Sequence, residues 1–284
     1  MPVLAPSPSL AAAADPTAAP LAAPLIIGVR QRGSLDTLAS RVVAIQQASG
    51  AGVAVAIIEL GGLQPEAWSV NGDQQFVAAS TYKLPILMAE AQLVAERPSA
   101  ASDQLCYVDA DWEDGWYQDY QNGTCFTRAT LSLRVGQTSD NTAGHILVRY
   151  LGGTGALNAY AQAHGASESA FYVPNVTTAN DLSRLMADEA RGGAGGVASQ
   201  TWLYPLLTLT AFENGLPAGV GPGATVVHKV GTIDMVSSDV GLITGSPNGA
   251  YVLAVCTSGL GGDAGMALVA QVSAAVWQFE SNER

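Results

Sequence analysis

One of the two lysines in the chain, Lys83, follows Ser80 by three positions. Residues three apart lie on the same face of a helix, so this hydroxyl and this amine can meet. Residues 84–95 are apolar with helical spacing, and Pro85 is tolerated only in a first turn, so we expect a helix from about Thr81. A serine beside an amine at a helix N-terminus, where the dipole favours developing negative charge, is a candidate nucleophile with its base.

Two further motifs follow along the chain. Ser139-Asp140-Asn141 lies between the lysines, and the second lysine stands in His228-Lys229-Val230-Gly231-Thr232. In this order, Ser-x-x-Lys, Ser-Asp-Asn and Lys-x-Gly resemble the signature of class A β-lactamases and penicillin-binding proteins. A helix cap followed by a solvated lysine could explain the first motif alone, but not three motifs that use both lysines.

The resemblance covers about residues 33–280 and implies a role for each matched residue. Ser80 attacks an amide carbonyl and is acylated, and Lys83 takes or relays its proton. Ser139 passes a proton to the leaving nitrogen and is held by Lys229, whose charge also lowers the pKa of Lys83. Asn141 orients Lys83 and the substrate amide.

The resemblance also implies roles for residues of the third motif. The backbone N–H groups of Ser80 and Thr232 would form an oxyanion hole. Gly231 would let the substrate lie close against the strand. Val230 stands where the family has Thr or Ser, which should be tolerated, and Asp140 is interpreted as structural.

The segment after Gly165 departs from the family pattern. Class A enzymes carry Glu-x-x-Leu-Asn there, and its glutamate positions the water that removes the acyl group. Residues 166–182 lack this motif, and Phe171-Tyr172-Val173-Pro174 is closer to the penicillin-binding DD-peptidases. Glu168 is the only carboxylate before Asp181, either a displaced deacylation base or a solvated loop residue. We therefore expect slow deacylation.

Cys106 and Cys125 flank a loop rich in acidic and aromatic residues. A disulfide between them would fit an extracytoplasmic compartment, secreted or periplasmic, and two reduced surface thiols are the alternative. The resemblance places the loop near the cleft rim, where Tyr107 or Trp112 could pack on a substrate. The alternative is a loop packed on itself.

Composition excludes several functions. A net charge of −12 argues against binding to nucleic acid or to an anionic membrane surface.

His145, His164 and His228 are scattered without zinc spacing, so we expect no metal and no cofactor, and His145 is interpreted as structural. No unbroken run of 18 apolar residues predicts a membrane span. Residues 1–27, rich in Ala and Pro without Lys or Arg, do not read as an export signal.

Strand patterns at both ends of the chain surround a helical middle. This predicts an α+β fold, with an antiparallel β-sheet built from both chain ends, flanking helices and an inserted all-helical lobe. The expected parts are a flexible N-terminal segment (1–27) and one β-lactamase-like catalytic domain (28–284), the latter with an α/β lobe (28–79 and 212–284) and a helical lobe (80–211).

Three functions remain open from the sequence. The first is a hydrolase resembling class A β-lactamases that cleaves β-lactams with slow deacylation. The second is a DD-peptidase or a related amidase or esterase, acting on a peptidoglycan-like substrate. The third is a binding or sensing module that is acylated by penicillin and stays so. In each case we expect a monomer acting on a small molecule.

Overall fold

The computed structural model describes residues 35–61 and 66–281. Its strands are β1 (Gly52–Glu59), β2 (Ala67–Val70), β3 (Phe76–Val77), β4 (Gln104–Cys106), β5 (Cys125–Thr127), β6 (Val176–Thr177), β7 (Thr225–Ile233), β8 (Val236–Thr244) and β9 (Tyr251–Ser258). Its α-helices are α1 (Leu35–Ser49), α2 (Lys83–Glu96), α3 (Arg128–Gln137), α4 (Asn141–Leu151), α5 (Gly153–Ala163), α6 (Ala179–Ala190), α7 (Gly196–Leu203), α8 (Leu216–Gly219) and α9 (Gly262–Ser281).

Five strands from the two ends of the chain form one antiparallel sheet, in the order β2-β1-β9-β8-β7. Successive residues of a strand point to opposite faces, and both faces of this sheet are covered. Val53 and Val255 pack with α1 and α9 on one face, whereas Ala54 and Ala254 join the core of the helical middle on the other. The β-rich runs at both ends are apolar because their strands are buried on both sides.

Helix α2 forms the centre of the helical middle. It is apolar around most of its circumference and packs against α3, α4, α5 and α7, as expected for a helix buried in a core. Within this core the Arg128 guanidinium binds both oxygens of Glu90, which fixes α3 on α2. The α2 helix thereby holds the N-terminal turn that carries Ser80 and Lys83.

The predicted α+β fold is confirmed, with two corrections in the middle of the chain. The segment 80–211 is not all-helical, because it contains β4, β5 and β6, which pair as the short ribbons β4–β5 and β3–β6. Helix α6 also packs against β1, β8 and β9, so it covers the sheet as well as the helices. Residues 1–27 and the predicted cap of α1, Ser34, lie outside the described residues. None of the helices described here is long and apolar enough to cross a membrane.

Candidate active site

Ser80 lies in a 3₁₀ turn, Ala79–Tyr82, that leads directly into α2 at Lys83. The α-helix thus begins two residues later than the expected start at Thr81. The turn begins from a left-handed residue, Ala79, with φ of +47°. Ser80 and Lys83 remain three positions apart on a helical turn, which brings their side chains together.

Strand β7 packs closely against this turn at Gly231. A Cβ atom there would lie 2.7 Å from the backbone nitrogen of Thr81 and 2.8 Å from the carbonyl oxygen of Ala78. Only glycine therefore allows the strand to approach so near. The structure thus shows a close approach of the Ser80 turn at Gly231, and the expected approach of a substrate to this strand stays a prediction.

Two lysines and two serines meet at this point through hydrogen bonds. Lys83 Nζ lies 3.2 Å from Ser80 Oγ, and it donates to the backbone oxygen of Ser139 and to Asn141 Oδ1, each at 2.5 Å. Lys229 Nζ donates to Ser139 Oγ at 2.9 Å. Ser139 thus bridges the amine beside Ser80 and the amine of β7.

Both amines are buried, and burial disfavours their charged forms. Lys83 is 0% exposed, and burial lowers its pKa to about 7 against the opposing carboxylates of Asp140 and Glu113. Burial also lowers the pKa of Lys229, and the charge of Lys83 lowers it further. A neutral amine beside Ser80 Oγ can act as a proton acceptor near neutral pH.

The Ser139-Asp140-Asn141 turn is fixed by the start of α4. Asp140 is the N-cap residue, and its Oδ1 accepts hydrogen bonds from the backbone N–H of Ala143 at 2.8 Å and from the Tyr120 hydroxyl at 2.7 Å. Ser139 has a φ of +58°, a strained conformation that turns its backbone oxygen toward Lys83. Asp140 therefore has the structural role that the sequence suggested.

A pocket of about 160 Å³ opens over these groups. Ser80, Ser139, Asn141 and Thr232 are among the residues that line it. Thr232 follows Gly231 on β7, the strand that packs against the Ser80 turn, and it lines the same pocket as Ser80. This arrangement suits a substrate whose carbonyl carbon is attacked by Ser80 Oγ.

Two aromatic rings stand at the mouth of this pocket. Trp116 and Phe212 both line it, and their rings meet edge to face with centroids 6.2 Å apart. Trp116 is 61% exposed, so it is available to an apolar group of a substrate. Neither residue could be identified from the sequence, because a single aromatic residue in a loop carries no periodic signal.

The aromatic residues predicted for the rim lie elsewhere. Tyr107 is only 4% exposed, and its ring packs on Tyr120 with centroids 5.7 Å apart. Trp112 is partly exposed and packs edge to face on Tyr120, but it does not line the pocket. Gly115 and Trp116 are the residues of this loop that line the pocket, so Trp116 stands at the mouth in place of Tyr107 and Trp112.

A disulfide joins Cys106 and Cys125 across the β4–β5 ribbon, where the two residues are paired. The intervening loop is also bound to α4, since Arg149 donates to the Cys106 carbonyl oxygen and to both carboxylate oxygens of Asp111. The loop that carries Trp116 is therefore anchored at both ends and in its middle.

Glu168 does not reach the pocket. Its side chain is exposed, and its backbone N–H donates to Asp181 Oδ2 at 2.8 Å. From the same segment, Asn175 contacts the turn that carries Ser80, because its Nδ2 donates to the Ala79 carbonyl oxygen at 3.1 Å. Asn175 Oδ1 is buried and has no hydrogen-bond partner within the described residues.

Glu113 contacts Asn141, and His145 in turn contacts Glu113. Glu113 Oε1 accepts a hydrogen bond from Asn141 Nδ2 at 2.7 Å, and Glu113 Oε2 lies 3.1 Å from His145 Nε2. The sequence analysis treated His145 as purely structural. Its position four residues after Asn141, on the same face of a predicted helix, was the signal for this contact.

A third histidine, His228, is buried behind Lys229. Its Nδ1 contacts Asp239 at 2.9 Å and its Nε2 contacts Glu213 at 3.2 Å. Burial alone would lower the pKa of His228, but these two carboxylates raise it to about 9. Within residues 35–61 and 66–281 no group of His, Cys, Asp and Glu side chains is arranged to hold a metal ion.

Comparisons with known proteins agree with this geometry. A model of the Beta-lactamase enzyme family matches residues 37–279. A mutant of PBP-A, captured as an acyl-enzyme with penicillin G, is 28% identical with a TM-score of 0.79, and the match covers 86% of this chain and 96% of that one. A β-lactamase from Sphaerobacter thermophilus is 26% identical with a TM-score of 0.77, covering 89% and 100% of the two chains.

A curated relative, the β-lactamase OXY-1 of Klebsiella oxytoca, is 28% identical over 135 residues. That match spans 46% of this chain and 45% of the relative, a little under half of each. The family match is much broader, since it includes all three motifs and the five-stranded sheet. The chain belongs to the β-lactamase enzyme family.

Proposed function

We propose that this protein is a serine hydrolase that opens a β-lactam or a related amide through an acyl-enzyme on Ser80. One observation carries the proposal: the Lys83 amine is fully buried, and its Nζ lies 3.2 Å from Ser80 Oγ. A base of lowered pKa in contact with a hydroxyl at the floor of a pocket is the arrangement that activates a serine.

The hydrogen bonds of Lys83 indicate the direction of proton transfer. A neutral amine has two N–H bonds and one lone pair. The backbone oxygen of Ser139 and Asn141 Oδ1 only accept hydrogen bonds, so they take the two N–H groups. The lone pair is then directed at Ser80 Oγ, whose proton it accepts while Oγ attacks the carbonyl carbon.

The leaving nitrogen must gain a proton when its bond to the carbonyl carbon breaks. Ser139 Oγ can supply it, because this hydroxyl lies 2.9 Å from Lys229 Nζ and 3.4 Å from Lys83 Nζ. The proton taken from Ser80 by Lys83 can thus return through Ser139 to the nitrogen. The N–H groups of Ser80 and Thr232 would stabilise the oxyanion, at about 3 kcal/mol for each donor.

Deacylation needs a water molecule and a base, and we propose that it is the slow half of the reaction. Glu168 is exposed and does not line the pocket, and the segment places an amide, Asn175, against the Ser80 turn. A general base contributes about 10²–10⁴-fold to a step. Without one, the acyl-enzyme should accumulate.

The experiment is intact-mass spectrometry over time after addition of benzylpenicillin, with nitrocefin kinetics alongside. We expect a mass increase of one penicillin per chain. With nitrocefin we expect a burst of about one equivalent, followed by turnover well below a usual enzyme median of about 10 s⁻¹. Ser80→Ala is the control and should take up no penicillin.

Two results would contradict the proposal at different points. Absence of an adduct on the wild-type protein would remove acylation at Ser80. Rapid turnover without a burst would keep acylation but remove slow deacylation, and it would require a base such as Lys83 to serve both steps.

A DD-peptidase or amidase is the second candidate. The Phe171–Pro174 segment favours it, since it departs from the pattern of β-lactamases that carry the deacylating glutamate, and the chain is also similar to PBP-A. Release of D-alanine from a stem-peptide mimic would identify this activity. For either substrate we propose an extracytoplasmic location, which the Cys106–Cys125 disulfide supports.

A further inference from the structure

Glu113 and His145 form a polar pair that the acylation steps above do not use. Glu113 belongs to the loop that precedes Ser139, and His145 lies one turn after Asn141 on α4. The pair is bonded to the Asn141 amide through Glu113 Oε1, at 2.7 Å from Asn141 Nδ2. It therefore lies one side chain away from Lys83.

The contacts of His145 define where its protons lie. His145 Nδ1 is 3.0 Å from the backbone oxygen of Asp111, which only accepts, so Nδ1 carries a hydrogen. His145 Nε2 lies 3.1 Å from Glu113 Oε2, and an ionised carboxylate also only accepts. A hydrogen on Nε2 would be donated to Glu113 Oε2, so the ring holds this carboxylate in place.

This pair dictates how the Asn141 amide is oriented. Glu113 Oε1 requires a donor, so the NH₂ end of the amide faces Glu113 and the oxygen faces Lys83. A rotated amide would place its oxygen against the carboxylate and its NH₂ against the Lys83 amine. Lys83 would then lose an acceptor for one of its N–H bonds, and its lone pair would no longer be directed at Ser80.

We propose that Glu113, held by His145, is a positioning residue for acylation, which fixes the Asn141 amide and thereby directs the Lys83 lone pair at Ser80. This inference rests on the proposed function. It assigns a role in acylation, the first half of the reaction, to the carboxylate of Glu113, which comes from the loop closed by the disulfide. The segment after Gly165, by contrast, offers no carboxylate to the pocket.

The structure also indicates that Glu113 can be truncated without displacing its loop. The Glu113 backbone is held by Thr142, whose Oγ1 accepts from the Glu113 N–H at 3.0 Å and donates to the Glu113 carbonyl oxygen at 2.8 Å. These bonds do not involve the carboxylate. Asp109→Ala removes the same charge from an exposed position of this loop and is the matched control.

The test compares the acylation rate constants of Glu113→Ala, Glu113→Gln, Asp109→Ala and the wild type in single-turnover experiments with nitrocefin. At pH 8 about 90% of Lys83 is neutral at a pKa of about 7, so the lost charge of Glu113 has little influence on its protonation. We expect Glu113→Ala to lower the rate constant by about 10–100-fold, as for a misplaced catalytic group.

Glu113→Gln should restore the rate. Its amide oxygen can accept from Asn141 while its NH₂ donates to the bare Nε2 of a neutral His145, so we expect a rate constant within about threefold of the wild type. The apparent binding constant and the melting temperature should change little in either variant, and Asp109→Ala should behave as the wild type.

A second readout does not need a substrate. The chain contains only two lysines, so protein labelled with ¹³C-lysine gives one ε-carbon signal for Lys83 and one for Lys229. Glu113→Ala should displace the Lys83 signal at pH 8, and Glu113→Gln should leave it near its original position. This readout still tests the positioning role if the wild-type protein is not acylated, a result that would refute the proposed function.

Two outcomes would overturn the inference. In the first, Glu113→Ala acylates at the wild-type rate and leaves the Lys83 signal unchanged. In the second, Glu113→Gln is as slow as Glu113→Ala, which would mean that the charge of Glu113 matters and its hydrogen bonds do not.

Discussion

The rate of acylation should depend on pH through the Lys83 amine. Burial lowers the pKa of Lys83 to about 7, and the carboxylates of Asp140 and Glu113 only partly oppose it. Only the neutral amine can take the proton of Ser80, and its fraction is about 1% at pH 5 and about 90% at pH 8. We therefore expect the acylation rate constant to rise by about 100-fold over this range and then to level off.

The neighbouring bases should not produce the same profile. His228 has a pKa raised to about 9 by Asp239 and Glu213, so it stays protonated over most of this range. The pKa of Lys229 is lowered by burial and by the charge of Lys83, so the two amines titrate as a coupled pair. A variant at each lysine is needed to assign the transition.

The assay is stopped-flow single-turnover acylation by nitrocefin from pH 5 to pH 8.5. Lys229→Arg keeps a permanent positive charge on β7, so the rise with pH should persist in this variant. Lys83→Arg places a guanidinium beside Ser80 that stays protonated, so acylation should be lost at every pH. An unchanged rate constant between pH 5 and pH 8, or a rise that survives in Lys83→Arg, would refute Lys83 as the base.

Three further predictions concern the loop, the mouth of the pocket and the helical core. Replacing both Cys106 and Cys125 by Ser should lower the free energy of unfolding in urea by about 3 kcal/mol, from the chain entropy of a loop spanning 19 positions; an unchanged midpoint would contradict this. Trp116→Ala should weaken non-covalent binding of a penicillin about fivefold in pre-steady-state titration. Adding Phe212→Ala should have little further effect, because the two rings are in contact; a second loss of similar size would mean that the rings act separately. Burial raises the pKa of Glu189 to about 7, so its contribution to stability is largest below its ordinary pKa of 4.5 and is lost as pH rises to 7. Glu189→Gln should therefore be more stable than the wild type at pH 8 by up to about 3 kcal/mol and equally stable at pH 4.5, as measured by urea unfolding.

The sequence was most informative where chemistry depends on local spacing. Ser80 and Lys83 approach each other because a helical turn separates them by three residues, whatever the rest of the chain does. The meeting of Ser139 with Lys229 depends on the packing of distant segments. It could be predicted only through the resemblance, which ties the order of three motifs to a known arrangement.

The contents of the loop between the disulfide cysteines were the least predictable. The loop contains five aromatic residues, and neither alternation nor helical spacing shows which of them faces the cleft. Tyr107 follows β4 and is buried against Tyr120, whereas Trp116 lies at a bend with Gly115 and is exposed. The contact between Glu113 and Asn141 likewise depends on the path of this loop, which no local pattern determines.

Three residues have strained backbones near the candidate site, and they serve different purposes. Ala79, Ser139 and Tyr172 have φ values of +47°, +58° and +74°, conformations that cost about 1–3 kcal/mol each and persist only when their surroundings impose them. The first two residues place the nucleophile and the oxygen that accepts from Lys83, so their strain serves acylation. The third serves packing: the Tyr172 ring lies 5.6 Å from that of Tyr82 and 5.1 Å from that of His145.

The segment around Tyr172 is therefore packed into the core beside Ser80. Phe171 is 0% exposed, and its backbone N–H and carbonyl oxygen are both bound by the Asn158 amide. A glutamate placed at Phe171 would bury a charge without a partner, which is costly unless the group is neutralised. Such a carboxyl would be protonated and could not act as a base. Faster deacylation would thus require rebuilding the segment from Phe171 to Asn175, because a single substitution leaves this packing in place.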